Sequence, residues 1–431
     1  MEPLRVGICG LGTVAQGVLT ILAQNAERIA RRAGRAVVVT RVASRRPRPE
    51  AELGQAVFST DLRGLVSSPD VDVLVELIGG EDLALELQKQ ALSSGKPVVT
   101  ANKAVVALHG DELFELAEQH QVPLCFEAAV AGGIPIITAL TRGLAANDVH
   151  WLAGIINGTS NYILSAMSDE GADFDHALAD AQRLGYAEAD PTFDVEGIDA
   201  AHKLTILAAL AFGIDFRFSE VYTEGISRIT SEDVEYARQL GYRIKHLAIA
   251  RKTQAGVEVR VHPTLIPQQR LLANVHGVMN AVVVHGHAAG DTLYYGAGAG
   301  AMPTASAVVA DLIEIARGKA LLPERGNGDG VAVVPMIESE SAYYLRVPSL
   351  DRPGVFARVA TILSEHNISI ESAVQRAEAI HAESQRAWVP IIIVTQRVPE
   401  RVMNDALAAV QALSEVVGDI TRIRVEDLND R

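Results

Sequence analysis

Two charged side chains near the middle of the sequence are spaced for proton transfer. Asp199 and Lys203 stand four positions apart in a segment that continues as LTILAALAF, which predicts a buried helix carrying both on one face. A lysine with an ordinary pKa of ~10.4 is a proton donor at neutral pH, and a carboxylate beside it can orient it. Most such pairs are exposed salt bridges, but the apolar surroundings favour a catalytic pair.

Further candidate groups stand before this helix and far upstream of it. Glu188 and Asp194 occur in GYAEADPTFDVEG, where their carboxylates could accept hydrogen bonds from a substrate ammonium. Lys103 ends TANK, directly after a predicted strand, and ligands bind at the carboxyl edge of such sheets. A lone lysine is more often a surface residue, so Lys103 is a candidate site residue only in combination with the other groups. His202 adjoins Lys203, and no role is assigned to it.

A glycine-rich turn near the N-terminus has the pattern of a dinucleotide site. Gly10 and Gly12 open GLGTVA, which matches G-x-G-x-x-G/A between a predicted strand and a predicted helix. The first glycine permits a tight turn and the second lets the backbone approach a pyrophosphate. The helix N-terminus, at Thr13 and Val14, faces that anion. A purely structural turn is the alternative, which the strand–turn–helix context disfavours.

The end of the second predicted strand, residues 36–43, indicates whether the cofactor's adenosine ribose carries a 2′-phosphate. An NAD site usually has an acidic residue near the end of this strand. Here no Asp or Glu occurs between Glu27 and Glu50, and the strand runs into Ser44, Arg45 and Arg46. Guanidinium groups can hold a 2′-phosphate through paired hydrogen bonds, although the same residues could form a solvated basic loop. The sequence therefore favours NADP, with NAD possible.

The order of predicted elements divides the chain into three domains and a linker. In residues 1–145, alternating strands and helices predict an α/β, Rossmann-type, doubly wound parallel sheet. Residues 146–320 mix strands with long helices, which predicts an α+β catalytic and dimerisation domain whose helix at 305–318 packs back on the first domain. Residues 321–340 have linker composition. Residues 341–431 follow the ferredoxin-like βαββαβ order. The predicted strands are 4–9, 36–43, 71–78, 97–100, 123–129, 151–156, 257–263, 281–287, 342–347, 368–374, 387–394 and 420–425.

Five motifs together resemble the homoserine dehydrogenase family, in the family's order and over about residues 1–320. They are GLGTVAQG, VELIGG, TANK, GIINGTSNYI and the segment at 185–203. Ala15 stands where many members have glycine, and it is an allowed small residue. The resemblance implies an NAD(P)-dependent enzyme that interconverts L-aspartate 4-semialdehyde and L-homoserine in threonine, methionine and isoleucine biosynthesis.

The same resemblance implies a role for each matching residue. Lys203 would be the catalytic acid/base held by Asp199, Glu188 and Asp194 would bind substrate, and Lys103 would lie beside the nicotinamide. The implied cofactor contacts are Gly10, Gly12, Thr13, Val14, Arg45, Arg46, Thr100, Lys103 and Gly300. The implied site for a monovalent cation such as Na⁺ or K⁺ uses Glu127, Val130, Gly132 and Ile134.

With DRPGVF at 351–356 after its first strand and HNISI at 366–370, the C-terminal segment resembles an ACT domain, although its Pro and Gly residues are also ordinary turn chemistry. Such domains usually pair edge to edge and bind an amino acid at the shared interface. The resemblance implies a ligand site at Asp351, Gly354 and Asn367, L-threonine as the allosteric effector, and a homodimer or homotetramer. We also expect that an enzyme truncated near residue 340 stays active and no longer responds to threonine.

Bulk properties and side-chain types exclude several other functions. The net charge of −15 argues against nucleic acid and anionic membranes as partners, and no signal peptide or transmembrane run is found, so we expect a cytoplasmic protein. Cys9 and Cys125 are expected to be buried hydrophobes rather than a disulfide or metal ligands. An ACT-tailed 2-hydroxy-acid dehydrogenase would usually present a His–carboxylate pair. A catalytically inactive sensor would have no reason to retain both lysines and the carboxylates.

Overall fold

A six-stranded parallel sheet forms the N-terminal part of the chain in a computed structural model that describes residues 2–46, 51–320, 331–375 and 388–428. Its order, β3-β2-β1-β4-β5-β6, is that of dinucleotide-binding sheets, as the sequence predicted. The elements are β1 Leu4–Cys9, α1 Thr13–Gln24, α2 Ala26–Ala33, β2 Val37–Ala43, β3 Val57–Ser59, α3 Leu62–Ser67, β4 Val73–Glu76, α4 Asp82–Ser93, β5 Val98–Thr100, α5 Lys103–Gln119, β6 Leu124–Cys125 and α6 Ile136–Thr138.

Two details of this sheet differ from the sequence prediction. The short edge strand β3 was not predicted, because three residues are too few to show a pattern. The apolar run at 123–129 forms only the two-residue strand β6, and a 3-10 turn over Glu127–Ala129 follows it. That turn leads into the loop before α6, which the resemblance assigns to cation binding.

The middle domain is an antiparallel sheet with helices on it. Three of its strands, β7, β10 and β11, correspond to the predicted strands, whereas β8, β9 and β12 were not predicted. The elements are β7 Val149–Ile155, α7 Gly158–Asp169, α8 Phe174–Arg183, α9 Thr192–Val195, α10 Ile198–Phe212, β8 Tyr222–Thr223, α11 Ser231–Gln239, β9 Tyr242–Thr253, β10 Gly256–Pro267, β11 Met279–Gly286, β12 Gly290–Ala297 and α12 Ala301–Ala316.

Helix α12 returns the chain to the N-terminal sheet. It packs against α1, and Val308 and Leu312 share a buried apolar cluster with Val18. The approach is close at Gly17, where an added Cβ would lie 2.7 Å from the carbonyl oxygen of Ala301. Glycine is therefore required at this contact. The packing brings the segment before α12 next to the N-terminus of α1.

The C-terminal unit has the βαββαβ order that the sequence predicted. Its strands lie in the order β17-β13-β15-β14, the ferredoxin-like arrangement, with β14 at the outer edge. None of the helices in the described ranges is both long and apolar enough to cross a lipid bilayer. The elements are β13 Glu340–Leu350, α13 Val355–Glu365, β14 Ile370–Gln375, β15 Trp388–Thr395, β16 Val398–Pro399, α14 Glu400–Gln411 and β17 Thr421–Val425.

This unit shares one sheet with the middle domain, which the sequence pattern did not indicate. Strand β17 pairs in parallel with β10, so the two sheets form a single eleven-stranded sheet. A buried ion pair spans the joint, with Arg346 Nε 2.6 Å from Asp233 Oδ1. Residues 321–330 of the predicted linker lie outside the described residues. Beyond them, Val333 forms a bridge with Val257 of β10.

Candidate active site

Asp199 holds two lysine side chains, one on each oxygen of its carboxylate. The Nζ atom of Lys203 lies 2.6 Å from Oδ2, and the Nζ atom of Lys103 lies 2.8 Å from Oδ1. Asp199 and Lys203 share a face of α10, as their spacing predicted. Lys103 comes from the N-terminal domain as the first residue of α5, which the side chain of Asn102 caps. The cluster therefore spans the junction of two domains.

Burial and mutual attraction set the charges in this cluster. Asp199 and Lys203 have side chains only 5% and 11% exposed. Burial alone would raise the pKa of Asp199, but the ammonium groups of Lys203 and Lys103 outweigh it and hold that pKa below its ordinary value. Burial lowers the pKa of Lys203, and Asp199 partly opposes the change. The Asp199 carboxylate therefore stays ionised, and the lowered pKa makes the Lys203 ammonium a stronger proton donor.

The junction between β7 and α7 supplies the remaining contacts to the pair. The carbonyl oxygen of Ile156 accepts a hydrogen bond from Lys203 Nζ at 2.8 Å. The side-chain amide of Asn157 donates to Asp199 and to Asp194. The sequence pattern had not singled out Asn157. The available signal was an asparagine between a predicted strand and GTSNYI, where it would cap a helix.

A cavity of about 480 Å³ lies beside the lysines. Asp194 and Glu188, the expected substrate ligands, both line it together with Lys203. Burial raises the pKa of Asp194, and the nearby carboxylate of Asp199 raises it further. Glu188 is exposed. The residues lining the cavity are Lys103, Asn157, Gly158, Thr159, Gly185, Tyr186, Ala187, Glu188, Asp194, Asp199, Lys203, Val278, Asn280, Ala297, Gly298, Ala299 and Gly300.

A second cavity of about 510 Å³ adjoins the first, and Lys103 lines both. Val14 from α1 forms part of its wall, and the Lys103 ammonium lies 5.5 Å from the centre of the Phe193 ring. His202 also lines it and stacks on Phe218 with ring centres 4.2 Å apart. Burial lowers the pKa of His202, and Lys103 adds to the effect. The imidazole of His202 is therefore a neutral part of the lining of this cavity, held by stacking on Phe218.

A cleft of about 1000 Å³ continues from the second cavity along the glycine-rich turn. Gly10 has φ +102°, and an added Cβ there would lie 2.5 Å from the carbonyl oxygen of Leu77. At Gly12 an added Cβ would meet open space, so the backbone is accessible from the cleft. Arg45 and Arg46 are exposed and line the same cleft. These features fit a dinucleotide, with the pyrophosphate at the start of α1.

Two other expected cofactor contacts, Thr100 and Gly300, differ in their placement. Thr100 is fully buried and lines none of the three cavities. Its hydroxyl donates to Glu76 Oε2 at 2.7 Å, and Gln88 donates to the same atom at 2.8 Å. Gly300 precedes α12, has φ +124° and lines the cavity that contains Lys203. The Thr100 side chain thus supports the sheet edge, whereas Gly300 faces the site.

The loop expected to hold a monovalent cation packs against the segment before α12. Ala131 and Gly132 have φ values of 54° and 47°, and a Cβ on Gly132 would lie 2.6 Å from the Gly298 carbonyl oxygen. The Glu127 carboxylate accepts hydrogen bonds from the backbone of Ile137 and from Thr138. Within the described ranges, no group of three or more His, Cys, Asp or Glu side chains could hold a metal ion. The candidate ligands are backbone carbonyls of Glu127, Val130, Gly132 and Ile134.

The expected regulatory residues do not form one cluster within a subunit. Asp351 and Gly354 lie in the loop before α13, and Gly354 has φ +91° at the helix N-cap. Asn367 follows the other end of α13, where its φ of 58° helps to terminate the helix. An eleven-residue helix at about 1.5 Å per residue separates the two ends by roughly 16 Å. A single amino acid could therefore not contact residues at both ends of this helix within one chain.

Comparison with known proteins decides which family has this site. The family model described as "Homoserine dehydrogenase" matches residues 135–313, and "Homoserine dehydrogenase, NAD binding domain" matches 10–127. A homoserine dehydrogenase from Pseudomonas aeruginosa is 57% identical over 100% of both chains. The chain belongs to the homoserine dehydrogenase family. A third family model, "ACT domain", matches residues 343–415, so the family's catalytic core here carries an ACT unit.

One solved homoserine dehydrogenase matches nearly the whole chain, and a second matches about three quarters of it. The structure from Thiobacillus denitrificans has a TM-score of 0.93 and 53% identity, with 99% of each chain covered. A hyperthermophilic archaeal homoserine dehydrogenase in complex with NADPH has a TM-score of 0.64 and 27% identity, covering 75% of this chain and 100% of that one. The present chain is thus an NAD(P)-dependent oxidoreductase of this family, with the Rossmann, catalytic and ACT parts in one polypeptide.

Proposed function

We propose that this enzyme reduces L-aspartate 4-semialdehyde to L-homoserine in the synthesis of threonine, methionine and isoleucine, with Lys203 as the proton donor. One observation supports this proposal above all. Lys203 and Lys103 both form ion pairs with the carboxylate of Asp199, beside the proposed substrate cavity and next to the proposed cofactor cleft. The nicotinamide, when bound, supplies the hydride that reduces the aldehyde carbon. The residues of the chain orient the substrate and move one proton.

Lys203 is suited to proton transfer by both geometry and charge. An ammonium has three N–H donors, and among the described residues two are used, by Asp199 Oδ2 and the Ile156 carbonyl. The third can point at the aldehyde oxygen and protonate it as negative charge develops there. In the reverse direction, neutral Lys203 takes the proton from the homoserine hydroxyl. The lowered pKa of Lys203 makes its neutral form easier to reach.

Lys103 is proposed to stabilise the developing oxyanion rather than to transfer the proton. It lines both the substrate cavity and the adjoining one, so it can lie beside the nicotinamide and the reacting oxygen. An ammonium beside the reacting oxygen stabilises an alkoxide that forms in a partly dry site. Proton transfer by Lys103 is the alternative assignment. The variants Lys203→Met and Lys103→Met test it, since only removal of the proton donor should abolish the pH dependence of the reaction rate.

The substrate's amino group is assigned to Glu188 and Asp194. L-Aspartate 4-semialdehyde carries an ammonium next to its α-carboxylate, and both acidic residues line the cavity that contains Lys203. A carboxylate pair can bind an ammonium through charge-assisted hydrogen bonds. This contact would fix the distance from the amino group to the aldehyde, and so select the substrate's chain length.

NADP is proposed as the preferred cofactor, with NAD as the weaker one. Arg45 and Arg46 line the cleft near Gly12, where the adenosine ribose of a dinucleotide would lie. The archaeal relative solved with NADPH supports the assignment. A monovalent cation is proposed in the loop at Glu127, Val130, Gly132 and Ile134, where uncharged backbone oxygens suit a singly charged ion. Replacing K⁺ or Na⁺ by choline should lower the activity if this ion has a role.

The ACT unit is proposed to bind L-threonine and to inhibit the enzyme. Feedback requires threonine to bind one global state better than another, and the shared sheet gives the unit direct contact with the catalytic domain. The separation of Asn367 from Gly354 along α13 supports a site shared by two subunits. We therefore propose a homodimer or homotetramer, which light scattering of the purified protein would test.

The decisive experiment is an assay of NADPH consumption with L-aspartate 4-semialdehyde. Wild-type enzyme should turn the substrate over, and Lys203→Ala should do so about 10²-fold or more slowly. Lys89→Ala is the matched control, because Lys89 of α4 forms an exposed ion pair with Glu112 of α5, and neither residue lines any of the three cavities described above. A 2-oxo acid should give no reaction. Turnover of the 2-oxo acid without turnover of the semialdehyde would overturn the proposal.

A further inference from the structure

The side-chain amide of Asn157 joins two carboxylates of the active site. Its Nδ2 atom lies 2.8 Å from Asp199 Oδ2 and 2.7 Å from Asp194 Oδ1, so both N–H groups of the amide are used. Its Oδ1 atom accepts from the backbone N–H of Ser160 at 2.8 Å and caps α7. Asn157 is only 5% exposed, so little water competes for these contacts. The amide has one stable orientation.

We propose that Asn157 is a positioning residue of the reaction, which fixes the Asp199 carboxylate and thereby the ammonium of Lys203. It also holds Asp194, a proposed substrate ligand, beside Asp199. This inference rests on the proposed function in one respect, that Lys203 transfers the proton. It adds a residue outside the lysine–carboxylate set to the groups that determine the rate.

The charges of the neighbours explain why an amide is needed here. Asp199 and Asp194 are close enough that each disfavours the other's ionisation, and the proximity of Asp199 contributes to the raised pKa of Asp194. An N–H donor to each oxygen stabilises both anions without adding a charge. A carboxylate at this position would repel both, and an alkyl group would leave both unsupported.

The surrounding backbone holds Asn157 in place. The carbonyl of its predecessor, Ile156, accepts directly from Lys203. Its successor, Gly158, is so tightly packed that a Cβ would lie 2.9 Å from the Val278 carbonyl oxygen. The hydroxyl of Thr159 donates to the Tyr186 carbonyl at 2.6 Å, which ties the junction to the loop that carries Glu188. Supporting contacts of this kind keep functional side chains in the positions and orientations that a reaction needs.

The charged groups that face Lys203 determine how a change at position 157 would affect its titration. Asp199 lies on the same helix, Lys103 approaches from α5, Asp194 approaches from α9, and Glu188 lines the same cavity. A new negative charge at position 157 would favour the ammonium form of Lys203. The pH at which homoserine oxidation accelerates should therefore rise.

The test compares two variants that both retain a helix-capping side chain. Asn157→Asp loses both donors and adds a charge, whereas Asn157→Ser loses the contacts without adding one, and Asp and Ser are good N-caps. We expect kcat for homoserine oxidation to fall about 10- to 100-fold in both, as for a small misplacement of catalytic groups. The pH midpoint should rise in Asn157→Asp and not in Asn157→Ser. The control, Asp173→Asn, exchanges the cap of α8 and should leave both quantities unchanged.

Thermal unfolding of each variant separates positioning from folding. A purely structural Asn157 would lower the melting temperature and leave kcat of the folded variants within twofold of wild type, and Asn157→Ser, which adds no charge, is the variant that decides between the two roles. If kcat stays within twofold of wild type in both variants, or falls in Asn157→Asp with no rise of the midpoint, the proposal is overturned. Wild-type turnover and its loss in Lys203→Ala test the proposed function separately, so the two failures can be told apart.

Discussion

Arg424, in the last strand of the C-terminal unit, donates to Glu224 of the middle domain, with Nη1 2.7 Å from Oε2. The same guanidinium donates to Glu400 and is 1% exposed. The carbonyl of Glu224 accepts from His246 Nε2 at 3.0 Å. The ring of His246 packs on Gly197, where an added Cβ would lie 3.0 Å from it. These contacts therefore connect the ACT unit to Gly197, the residue that precedes α10, which carries Asp199 and Lys203.

The first prediction concerns this joint. Arg424→Met should lower the free energy of unfolding by roughly 3–5 kcal/mol, because it leaves the buried carboxylate of Glu400 without its main partner. Denaturant titration would measure the loss. The control is Arg358→Met, which breaks the half-exposed pair with Glu415 and should cost less than about 1 kcal/mol. Equal losses in the two variants would show that the buried pair has no special contribution.

The second prediction concerns removal of the ACT unit. The shared sheet changes the expectation for truncation near residue 340. The deletion would remove Glu426 from the fully buried Arg260 and Arg346 from Asp233, and it would expose the edge of β10. We expect the truncated chain to be largely unfolded or aggregated, as seen by circular dichroism and gel filtration. A folded, active and threonine-insensitive truncation would instead support the separable unit that the sequence suggested.

The third prediction concerns Lys203. Lys203→Ala should lower kcat by about 10²-fold or more, the usual scale for loss of an acid/base group, while NADPH affinity stays within a few-fold of wild type. Fluorescence titration of NADPH and steady-state kinetics would separate the two quantities. Normal turnover in the variant would remove Lys203 from the mechanism and leave Lys103 as the remaining donor.

A corollary of the third prediction is that oxidation and reduction should have opposite pH dependences. Homoserine oxidation needs neutral Lys203, so its rate should rise as the pH passes the lysine's pKa, which burial lowers from 10.5. Aldehyde reduction needs the ammonium, so its rate should fall over the same range. Initial rates in both directions across this range would check the sign. Identical profiles would contradict the assignment of Lys203.

Local patterns predicted the relative placement of Asp199 and Lys203 better than they predicted the long-range assembly of the chain. The i,i+4 spacing placed Asp199 and Lys203 on one helix face because that relation depends only on helix geometry. The sequence alone did not place Lys103 on the same carboxylate, since this contact requires two domains to pack. Asn157 was missed because a capping asparagine is common, and its carboxylate partners lie more than a helix away in sequence.

The joining of the two sheets was also invisible in the sequence. The Gly- and Pro-containing segment at 321–340 predicted a linker, and nothing local indicates that β17 pairs with β10. Edge pairing of strands depends on which edges remain free after each domain forms, and not on propensity alone. Buried charges such as Arg260 and Glu426 are the residues that such an interface requires, but in sequence they look like ordinary surface positions.

The fourth prediction concerns cofactor choice. If Arg45 and Arg46 hold the 2′-phosphate, the double Ala variant should lose at least 10-fold in NADPH affinity, corresponding to about 1.4 kcal/mol, and should lose little in NADH affinity. Both residues are exposed, so folding should be unaffected. The matched control is the double Ala variant at Arg31 and Arg32, two basic residues at the end of α2. Equal losses for both cofactors would show that the arginines act only through general charge.

The last prediction concerns threonine and the loop before α13. Gly354 has φ +91°, a conformation that a β-branched side chain rarely adopts, so Gly354→Val should distort the loop and block close approach of a ligand. We expect uninhibited activity to persist and inhibition by millimolar threonine to be lost, which removes a coupling of about 1–3 kcal/mol. Gly34→Val introduces the same strain at φ +77° in the C-cap of α2 and should leave the response intact. Threonine inhibition curves for wild type, Gly354→Val and Gly34→Val would test whether this loop binds the effector. If threonine inhibits Gly354→Val as strongly as wild type, this loop does not bind the effector, and if wild type does not respond, the ACT unit senses a different ligand or has only a structural role.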